Sequence, residues 1–179
     1  MSPDQDETLL VMLVQRGDVA AFEKLLRRLH APLRQYVTKM VGAADADDVL
    51  QEVALRIFRK VQFLREPTLF RAWVFRIATR ISLAYLKHGK RQRDLENDPE
   101  LIRALTADLP EHEKLDGDFS DLVDRVSPAS RAALLLHYEQ HLSLEETAAI
   151  LDVPVGTVKS RLSYGLAAIR NHLKESKKP

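Results

Sequence analysis

Apolar side chains recur every three or four residues along most of this chain, and polar or charged side chains fill the positions between them. That interval is the period of an amphipathic α-helix, so the pattern predicts an all-α protein. It fades only over residues 94–124, which divides the chain into an N-terminal and a C-terminal helical half.

The N-terminal half is predicted to contain four helices, over residues 7–16, 18–42, 46–61 and 70–87. Gly17 ends the first helix, and Asp18 caps the second. Pro32 lies inside the second helix and predicts a kink or a break, because proline lacks the backbone N–H that a helix interior uses. Residues 62–69 form the loop between the third and fourth helices.

The third helix has an apolar face and a polar face. Its predicted inward side chains are Val49, Leu50, Val53, Ile57 and Val61. Asp48, Gln51 and Glu52 point elsewhere. From the pattern alone, a solvated face is the simplest interpretation of these three polar side chains.

The fourth helix carries positive charge along one face. Arg76, Arg80 and Lys87, here called the basic stripe, follow one another at helical intervals, and no acidic residue lies between Glu66 and Asp94. A surface that served only solubility would mix charges of both signs. The basic stripe therefore predicts contact with nucleic-acid phosphates.

The apolar positions of the fourth helix predict which side of it is buried. They are Phe70, Trp73, Val74, Ile77, Ile81 and Tyr85. Phe75 and Leu83 lie off this stripe. They either pack against a neighbouring helix or face a partner or unstacked bases.

Two short helical patterns separated by a turn occupy residues 143–164. Ser143 and Glu146 form a capping-box sequence, which places the start of the first helix at Leu144. Pro154 ends the first pattern and suits the first turn of the next helix. This is the sequence form of a helix-turn-helix, whose second helix is predicted to enter the major groove of duplex DNA.

The second of these helices divides its side chains between two faces. Val155, Val158, Leu162 and Leu166 are predicted to point inward. The remaining side chains are of kinds that contact bases and phosphates: Thr157, Lys159, Ser160, Arg161, Ser163 and Tyr164. A solvated polar face is the alternative, but it does not explain why the helix pair is so short and its turn so tight.

The net charge of +1 is distributed unevenly along the chain. Residues 1–96 carry 17 basic and 12 acidic side chains, residues 97–126 carry 3 and 9, and residues 127–179 carry 7 and 5. The acidic middle cannot bury enough apolar surface to offset the entropy of ordering it. We expect two nucleic-acid-facing modules joined by a flexible acidic linker, which holds at most a brief helix over residues 99–106.

The composition narrows the chemistry that is available. The absence of cysteine excludes disulfides, thiolate catalysis and zinc-finger modes of DNA binding. The six histidines lack ligand-like spacing, and neither a Gly-rich phosphate loop nor a nucleophile-base pair is present, so no enzyme, metal site or cofactor is predicted. The acidic residues 1–7, and an early apolar run confined to residues 9–14, indicate a cytoplasmic protein without a membrane span.

Several motifs resemble the signature segments of one family. They are DADDVLQE at residues 45–52, FRAWVFRIA at 70–78, and SLEE at 143–146 followed by VGTVKSRL at 155–162. In this order and at these separations they are similar to the extracytoplasmic-function sigma factors, the small two-domain initiation factors of bacterial RNA polymerase. The resemblance implies a four-helix region-2-like domain over residues 1–93, the acidic linker over 94–126, and a helix-turn-helix region-4-like domain over 127–179.

The resemblance also implies roles for particular side chains. Asp48, Gln51 and Glu52 would contact the clamp helices of core RNA polymerase rather than solvent alone. The loop over residues 62–69 would hold a flipped base of the minus-10 element, and the helix-turn-helix residues given above would bind the minus-35 element. The side chains implied in minus-10 binding are Arg65, Arg71, Arg76, Arg80 and Lys87.

The partners that the resemblance implies are core RNA polymerase, promoter DNA and an anti-sigma factor that covers the polymerase-facing surfaces. The acidic linker would thread basic channels of the polymerase, and the holoenzyme would contain a single copy of the chain. Two other functions remain open. A stand-alone helix-turn-helix regulator would bind a palindromic duplex tightly without polymerase, and a protein-binding adaptor would leave the basic stripe without a purpose.

Overall fold

The computed structural model describes residues 3–93, 123 and 126–176. Within these ranges the chain forms helices and turns and no strand, which confirms the predicted all-α class. The seven α-helices described are α1 Pro3–Gln15, α2 Val19–Val41, α3 Ala46–Lys60, α4 Phe70–Arg93, α5 Pro128–Leu134, α6 Leu144–Leu151 and α7 Val155–Ser176. The chain divides into two compact units, residues 1–85 and residues 86–179.

Helix α2 begins at a side-chain cap and continues through a proline. Asp18 accepts a hydrogen bond from the Ala21 backbone N–H at 3.0 Å, as a capping residue does. The helix is unbroken at Pro32, so the break that this residue predicted does not occur. Leu29 and Leu33, on either side, are both buried. Their burial contributes about 3 to 6 kcal/mol, which offsets the roughly 3 kcal/mol cost of an internal proline.

A buried hydrogen-bonded pair joins α2 to α4. The Thr79 hydroxyl donates to the Phe75 carbonyl at 2.7 Å, so the Tyr36 hydroxyl donates to Thr79 Oγ1, also at 2.7 Å. The Phe75 ring is fully buried and meets the Tyr36 ring edge-on, with the ring centroids 5.4 Å apart. Burial raises the pKa of the Tyr36 phenol above its ordinary range. Of the two alternatives for Phe75, packing against a neighbouring helix is therefore correct.

The two halves of this pair should contribute unequally to stability. Thr79→Val leaves the buried Tyr36 hydroxyl without an acceptor, so it should cost about 1 to 3 kcal/mol of unfolding free energy. Tyr36→Phe leaves Thr79 bonded to the Phe75 carbonyl and should cost about 1 kcal/mol. Denaturant unfolding followed by the fluorescence of Trp73, the single tryptophan, measures both values. A larger loss for Tyr36→Phe would contradict the assigned donor.

The buried side of α4 differs from the predicted stripe. Trp73 is half-buried and Tyr85 is exposed, although both were predicted to be buried. The buried face is turned toward Phe75 and Thr79. Apolar residues occupy much of the circumference of α4, so their spacing alone does not predict which of them lies at the centre of the buried face. Contact with Tyr36 on α2 determines which side of α4 is buried.

Capping residues shape the helix-turn-helix of the second unit. Glu146 accepts a hydrogen bond from the Ser143 N–H at 2.8 Å, and Ser143 Oγ accepts one from the Glu146 N–H at 3.1 Å. Helix α6 ends at Leu151, and the Asp152 backbone that follows is left-handed with φ 58°. Helix α7 begins at Val155, directly after Pro154. The predicted capping box and turn are thus confirmed, although the helix before them was not predicted to continue as a π-helical turn, Leu135–Glu139.

Helix α7 crosses α5 at a glycine. A Cβ atom at Gly165 would lie 2.7 Å from Leu134 Cδ1 and 3.3 Å from Val126 Cγ1, which is closer than side chains pack. The absence of a side chain therefore allows the two helices to approach this closely. The buried cluster around the crossing comprises Val126, Ala133, Leu134, Ala148, Val158, Leu162 and Ile169.

Two glycines of α7 should respond in opposite ways to alanine. Gly165→Ala should destabilise the second unit by about 1 to 3 kcal/mol, because Leu134 is wholly buried and cannot turn away from the added methyl group. Gly156→Ala meets nothing within 4 Å and should stabilise the helix by up to about 1 kcal/mol. Thermal unfolding by circular dichroism checks both shifts, and Trp73 fluorescence should report an unchanged first unit.

Some predicted segments lie outside the described residues. They are the acidic linker over 94–126, apart from Val123 and Val126, its brief helix over 99–106, and the end of the chain from residue 177. In the part of the chain that the structure describes, no helix has both the length and the apolar character needed to cross a bilayer.

Candidate nucleic-acid and partner interfaces

Helix α3 exposes the three polar side chains that were predicted to contact a partner. Asp48, Gln51 and Glu52 are all exposed, because the helix buries its apolar stripe on the opposite side. Glu52 accepts a hydrogen bond from Arg56 one turn later, at 2.6 Å. Both members of this ion pair are about half exposed, so water screens it and it contributes little to folding. The face is therefore available for binding at low cost to stability.

Two exposed apolar side chains share this face and were not among the predicted site residues. Leu55 is 44% exposed and Phe58 is 63% exposed. At about 100° per residue, Leu55 lies between Asp48 and Gln51 when viewed down the helix axis. The signal was present in the sequence, since both residues fall off the apolar stripe at positions where a solvated helix carries polar side chains. The face is thus polar with an apolar centre.

The basic stripe of α4 is present, and an aromatic side chain borders it. Arg80 and Lys87 are exposed and Arg76 is half-buried. Trp73 lies on the same side of the helix, half-buried, with its ring 6.0 Å from that of Phe70. An aromatic surface beside positive charge is the combination that binds single-stranded nucleic acid. Trp73, which was predicted to be buried, is therefore added to the candidate site.

Arg71 does not lie with the basic stripe. It is about 140° from Arg76 around the helix axis, and its guanidinium carbon lies 5.6 Å from the centroid of the Phe75 ring. A cation held over an aromatic face in this way is attracted by the ring quadrupole. Arg71 is therefore the least favoured of the five residues predicted to contact the minus-10 element.

The loop over residues 62–69 consists of two short turns with a bend between them. The turns are the 3₁₀ segments Val61–Phe63 and Pro67–Leu69, and Arg65 is exposed between them. Phe63 is 74% exposed and Leu69 is 56% exposed. The loop therefore presents apolar side chains to solvent on both sides of one cation.

Helix α7 presents most of the predicted duplex-binding side chains. Lys159 is exposed, and Thr157, Ser160, Ser163 and Tyr164 are half-exposed. The Ser160 hydroxyl donates to the Gly156 carbonyl at 3.0 Å, so its lone pairs remain for a donor on a base or a water.

Arg161 lies on the flank of α7 rather than opposite its apolar stripe. The residue precedes Leu162 and follows Val158 by three positions, which places it near the buried side. It is half-buried, and burial lowers the pKa of its guanidinium. The Arg161 side chain is therefore partly withdrawn from solvent, unlike that of the exposed Lys159.

Both units match models of known protein families. Residues 22–92 match sigma-70 region 2, and residues 117–169 match sigma-70 region 4. The ECF RNA polymerase sigma-E factor of Haemophilus influenzae is 30% identical, and the match covers 97% of this chain and 98% of that one. The corresponding factor of Escherichia coli strain K12 is 32% identical, with 96% of each chain covered.

Two solved structures share the fold. CnrH, in complex with the cytosolic domain of CnrY, matches with a TM-score of 0.68 and 19% identity over 97% of this chain and 99% of that one. The sigma factor RpoE of Bartonella quintana, in complex with the anti-sigma factor NepR, matches with a TM-score of 0.67 and 22% identity over 87% and 98%.

An all-helical chain that combines region 2 and region 4 is a transcription initiation factor of the sigma-70 class. Its 30 to 32% sequence identity with relatives over nearly their whole length identifies the subfamily to which it belongs. The chain belongs to the extracytoplasmic-function (ECF) sigma factors.

Proposed function

We propose that this chain directs bacterial core RNA polymerase to specific promoters by binding the minus-35 element as duplex and the minus-10 element as opened strand. The observation that carries the proposal is the presence of regions 2 and 4 in one chain, together with relatives that match over nearly their whole length and are named as ECF RNA polymerase sigma factors. The two DNA contacts that this function needs have candidate surfaces on α4 and α7.

Strand opening would use the loop over residues 62–69 together with α4. Extruding a base costs about 2 to 4 kcal/mol, so a pocket and phosphate contacts have to offset it. The exposed Phe63 and Leu69 on either side of Arg65 offer apolar walls for the pocket. Trp73 offers a stacking surface, and the basic stripe attracts the displaced strand.

Duplex recognition would use the outward face of α7. A helix of this kind places its first turns in the major groove, where side chains meet base edges. We assign the phosphate contact to the exposed Lys159 and base contact to the half-buried Arg161, with Ser160, Ser163 and Tyr164 between them.

Binding to core polymerase would use the exposed face of α3. Asp48, Gln51 and Glu52 supply acceptors and an amide, and Leu55 and Phe58 supply apolar area that is otherwise unfavourably exposed. Such a mixture of apolar centre and polar rim is the usual composition of a specific protein interface. An anti-sigma factor that covered the same face would block transcription by competition.

As a sigma factor the chain would act as one copy per holoenzyme, without catalysis, metal or cofactor of its own. It would work in the cytoplasm, where polymerase and chromosome meet. The acidic linker over residues 94–126 would follow basic channels of the polymerase, since its net charge of −6 over residues 97–126 is complementary to them.

In vitro transcription with core polymerase on a library of genomic fragments tests the proposal. We expect defined start sites that depend on added protein, and weak DNA binding by the protein alone. Failure to stimulate any start site, combined with tight binding to an inverted repeat, would establish the stand-alone regulator instead.

Two substitutions on α7 should separate base contact from phosphate contact. Arg161→Ala should weaken minus-35 binding by about 1 to 3 kcal/mol and change the preferred sequence, because a base reader carries sequence information. Lys159→Ala should weaken binding to all sequences alike and lower the salt dependence by about one counterion. Holoenzyme binding to a randomised minus-35 library at several salt concentrations measures both. An unchanged sequence preference for Arg161→Ala would make it a phosphate contact.

A further inference from the structure

One side chain of α1 is hydrogen-bonded to the start of the loop over residues 62–69. The Gln15 side-chain amide donates to the Leu64 carbonyl at 2.7 Å and to the Val61 carbonyl at 3.2 Å. These two carbonyls lie at opposite ends of the first 3₁₀ turn, which the Leu64 N–H closes by donating to Val61 at 3.1 Å. A single amide thus links both ends of the turn to the last residue of α1.

The position of Gln15 is itself fixed by the end of its helix. The Gly17 N–H donates to the Val14 carbonyl at 2.9 Å, and the Asp18 N–H donates to the Leu13 carbonyl at 3.1 Å. Gly17 adopts φ 91°, a left-handed conformation that glycine takes without strain. The α1 terminus is therefore a defined anchor from which the Gln15 amide reaches the loop.

Packing holds only part of the loop, because Leu64 and Pro67 are half-buried and its other side chains are mostly exposed. Val61 and Phe70, at its two borders, are buried, whereas Phe63 and Leu69 are largely exposed. A short segment with exposed side chains relies on hydrogen bonds to its backbone for a fixed conformation. The Gln15 amide supplies two of these from a residue 46 and 49 positions away in sequence.

We propose that Gln15 is a positioning residue that pre-organises the loop for capture of the extruded minus-10 base. The inference rests on the proposed function and adds to it a residue on α1, remote from the DNA-facing side chains. A loop that is ordered before DNA binds does not lose conformational entropy when it captures the base. A fixed loop conformation also keeps the pocket selective for one base.

Two substitutions at Gln15 separate hydrogen bonding from packing. Gln15→Met keeps the length and helix propensity of the side chain but removes its donors, whereas Gln15→Lys keeps donors on a side chain of similar reach. Backbone amide exchange over residues 62–69 of the free full-length protein should accelerate about tenfold or more in Gln15→Met and remain near the parent rate in Gln15→Lys. Exchange in α3 and α4 should be unchanged in both variants.

The functional readout is the base preference of the holoenzyme. Start sites found with the parent protein are rebuilt as templates with a randomised, pre-melted minus-10 region, and the transcripts are sequenced. Gln15→Met should reduce discrimination at the captured base by about tenfold, with core affinity and minus-35 preference retained. Gln15→Lys should keep the parent preference.

Either of two results would overturn the proposal. One is faster loop exchange with an unchanged base preference. The other is equal loss in both variants together with weaker core binding and a lower melting temperature, which would make Gln15 a general stability residue. Failure of the proposed function is a separate result, because the parent holoenzyme would then start no transcripts, while amide exchange would still report on the hydrogen bonds.

Discussion

Reversing the charge of Asp48 and Glu52 together, as D48K and E52K, should weaken binding to core polymerase by about 100-fold or more. Loss of one partner of a desolvated charge pair costs about 2 to 5 kcal/mol, and reversal adds repulsion. Folding should be little affected, because both carboxylates are exposed and the Glu52 to Arg56 pair is screened by water. Fluorescence anisotropy of labelled protein titrated with core enzyme measures the affinity.

A control for the replacement of one paired glutamate is available on α2, with half the change in net charge. Glu23 pairs with Arg27 at i,i+4 on an exposed helix face at 3.1 Å, the same local arrangement as Glu52 with Arg56. Glu23→Lys should leave core affinity within about twofold, since surface pairs contribute under about 1 kcal/mol. If the α2 variant lost as much affinity as the α3 variant, net charge and not the α3 face would control polymerase binding.

Reversing the charge of Arg76 and Arg80 together, as R76E and R80E, should reduce open-complex formation by about 100-fold with core binding retained. Each phosphate contact that is lost also loses the favourable release of a counterion from the DNA, and each introduced carboxylate repels the displaced strand. Permanganate footprinting of the holoenzyme on a supercoiled promoter measures strand opening. Because Arg76 is half-buried, the single variant Arg80→Gln at the exposed position should show a smaller defect in the same step.

The control for this variant changes the same net charge elsewhere in the first unit. R27E and R28E on α2 alter two exposed arginines that pair with Glu23 and Asp6. They should leave strand opening nearly unchanged at equal holoenzyme concentration. Loss of core binding in the α4 variant, with normal opening once holoenzyme is forced to form, would assign the basic stripe to the polymerase and not to DNA.

The helices could be predicted from the sequence where a local rule decides them. Asp18, the Ser143 and Glu146 capping box, and Pro154 act within a few residues, and each marks the helix end that it predicted. The effect of Pro32 could not be predicted from neighbouring residues alone. The free-energy cost of a proline inside a helix competes with the burial of leucines whose partners lie on other helices. The π-helical turn Leu135–Glu139 likewise has no local signal.

The candidate sites were predictable as charge patterns but not in their orientation. The basic stripe follows directly from the 3.6-residue period, whereas Trp73 and Phe75 exchanged their expected environments because Tyr36 on α2 determines how α4 is rotated. Arg161 lies nearer the core than expected for a related reason, since it is adjacent to Leu162. Leu55 and Phe58 lie off the predicted inward stripe of α3, but the resemblance that assigned this face named only its polar side chains.

The close crossing at Gly165 has a consequence for how promoter preference can change. The Gly165 backbone packs against the buried side chains of Leu134 and Val126, which fixes the position of α7 and of the outward side chains that it carries. Lys159 and Ser163 can then be exchanged without moving their neighbours. Outward residues of α7 that are replaced by those of a relative should therefore confer that relative's minus-35 sequence preference, provided that Gly165 is kept.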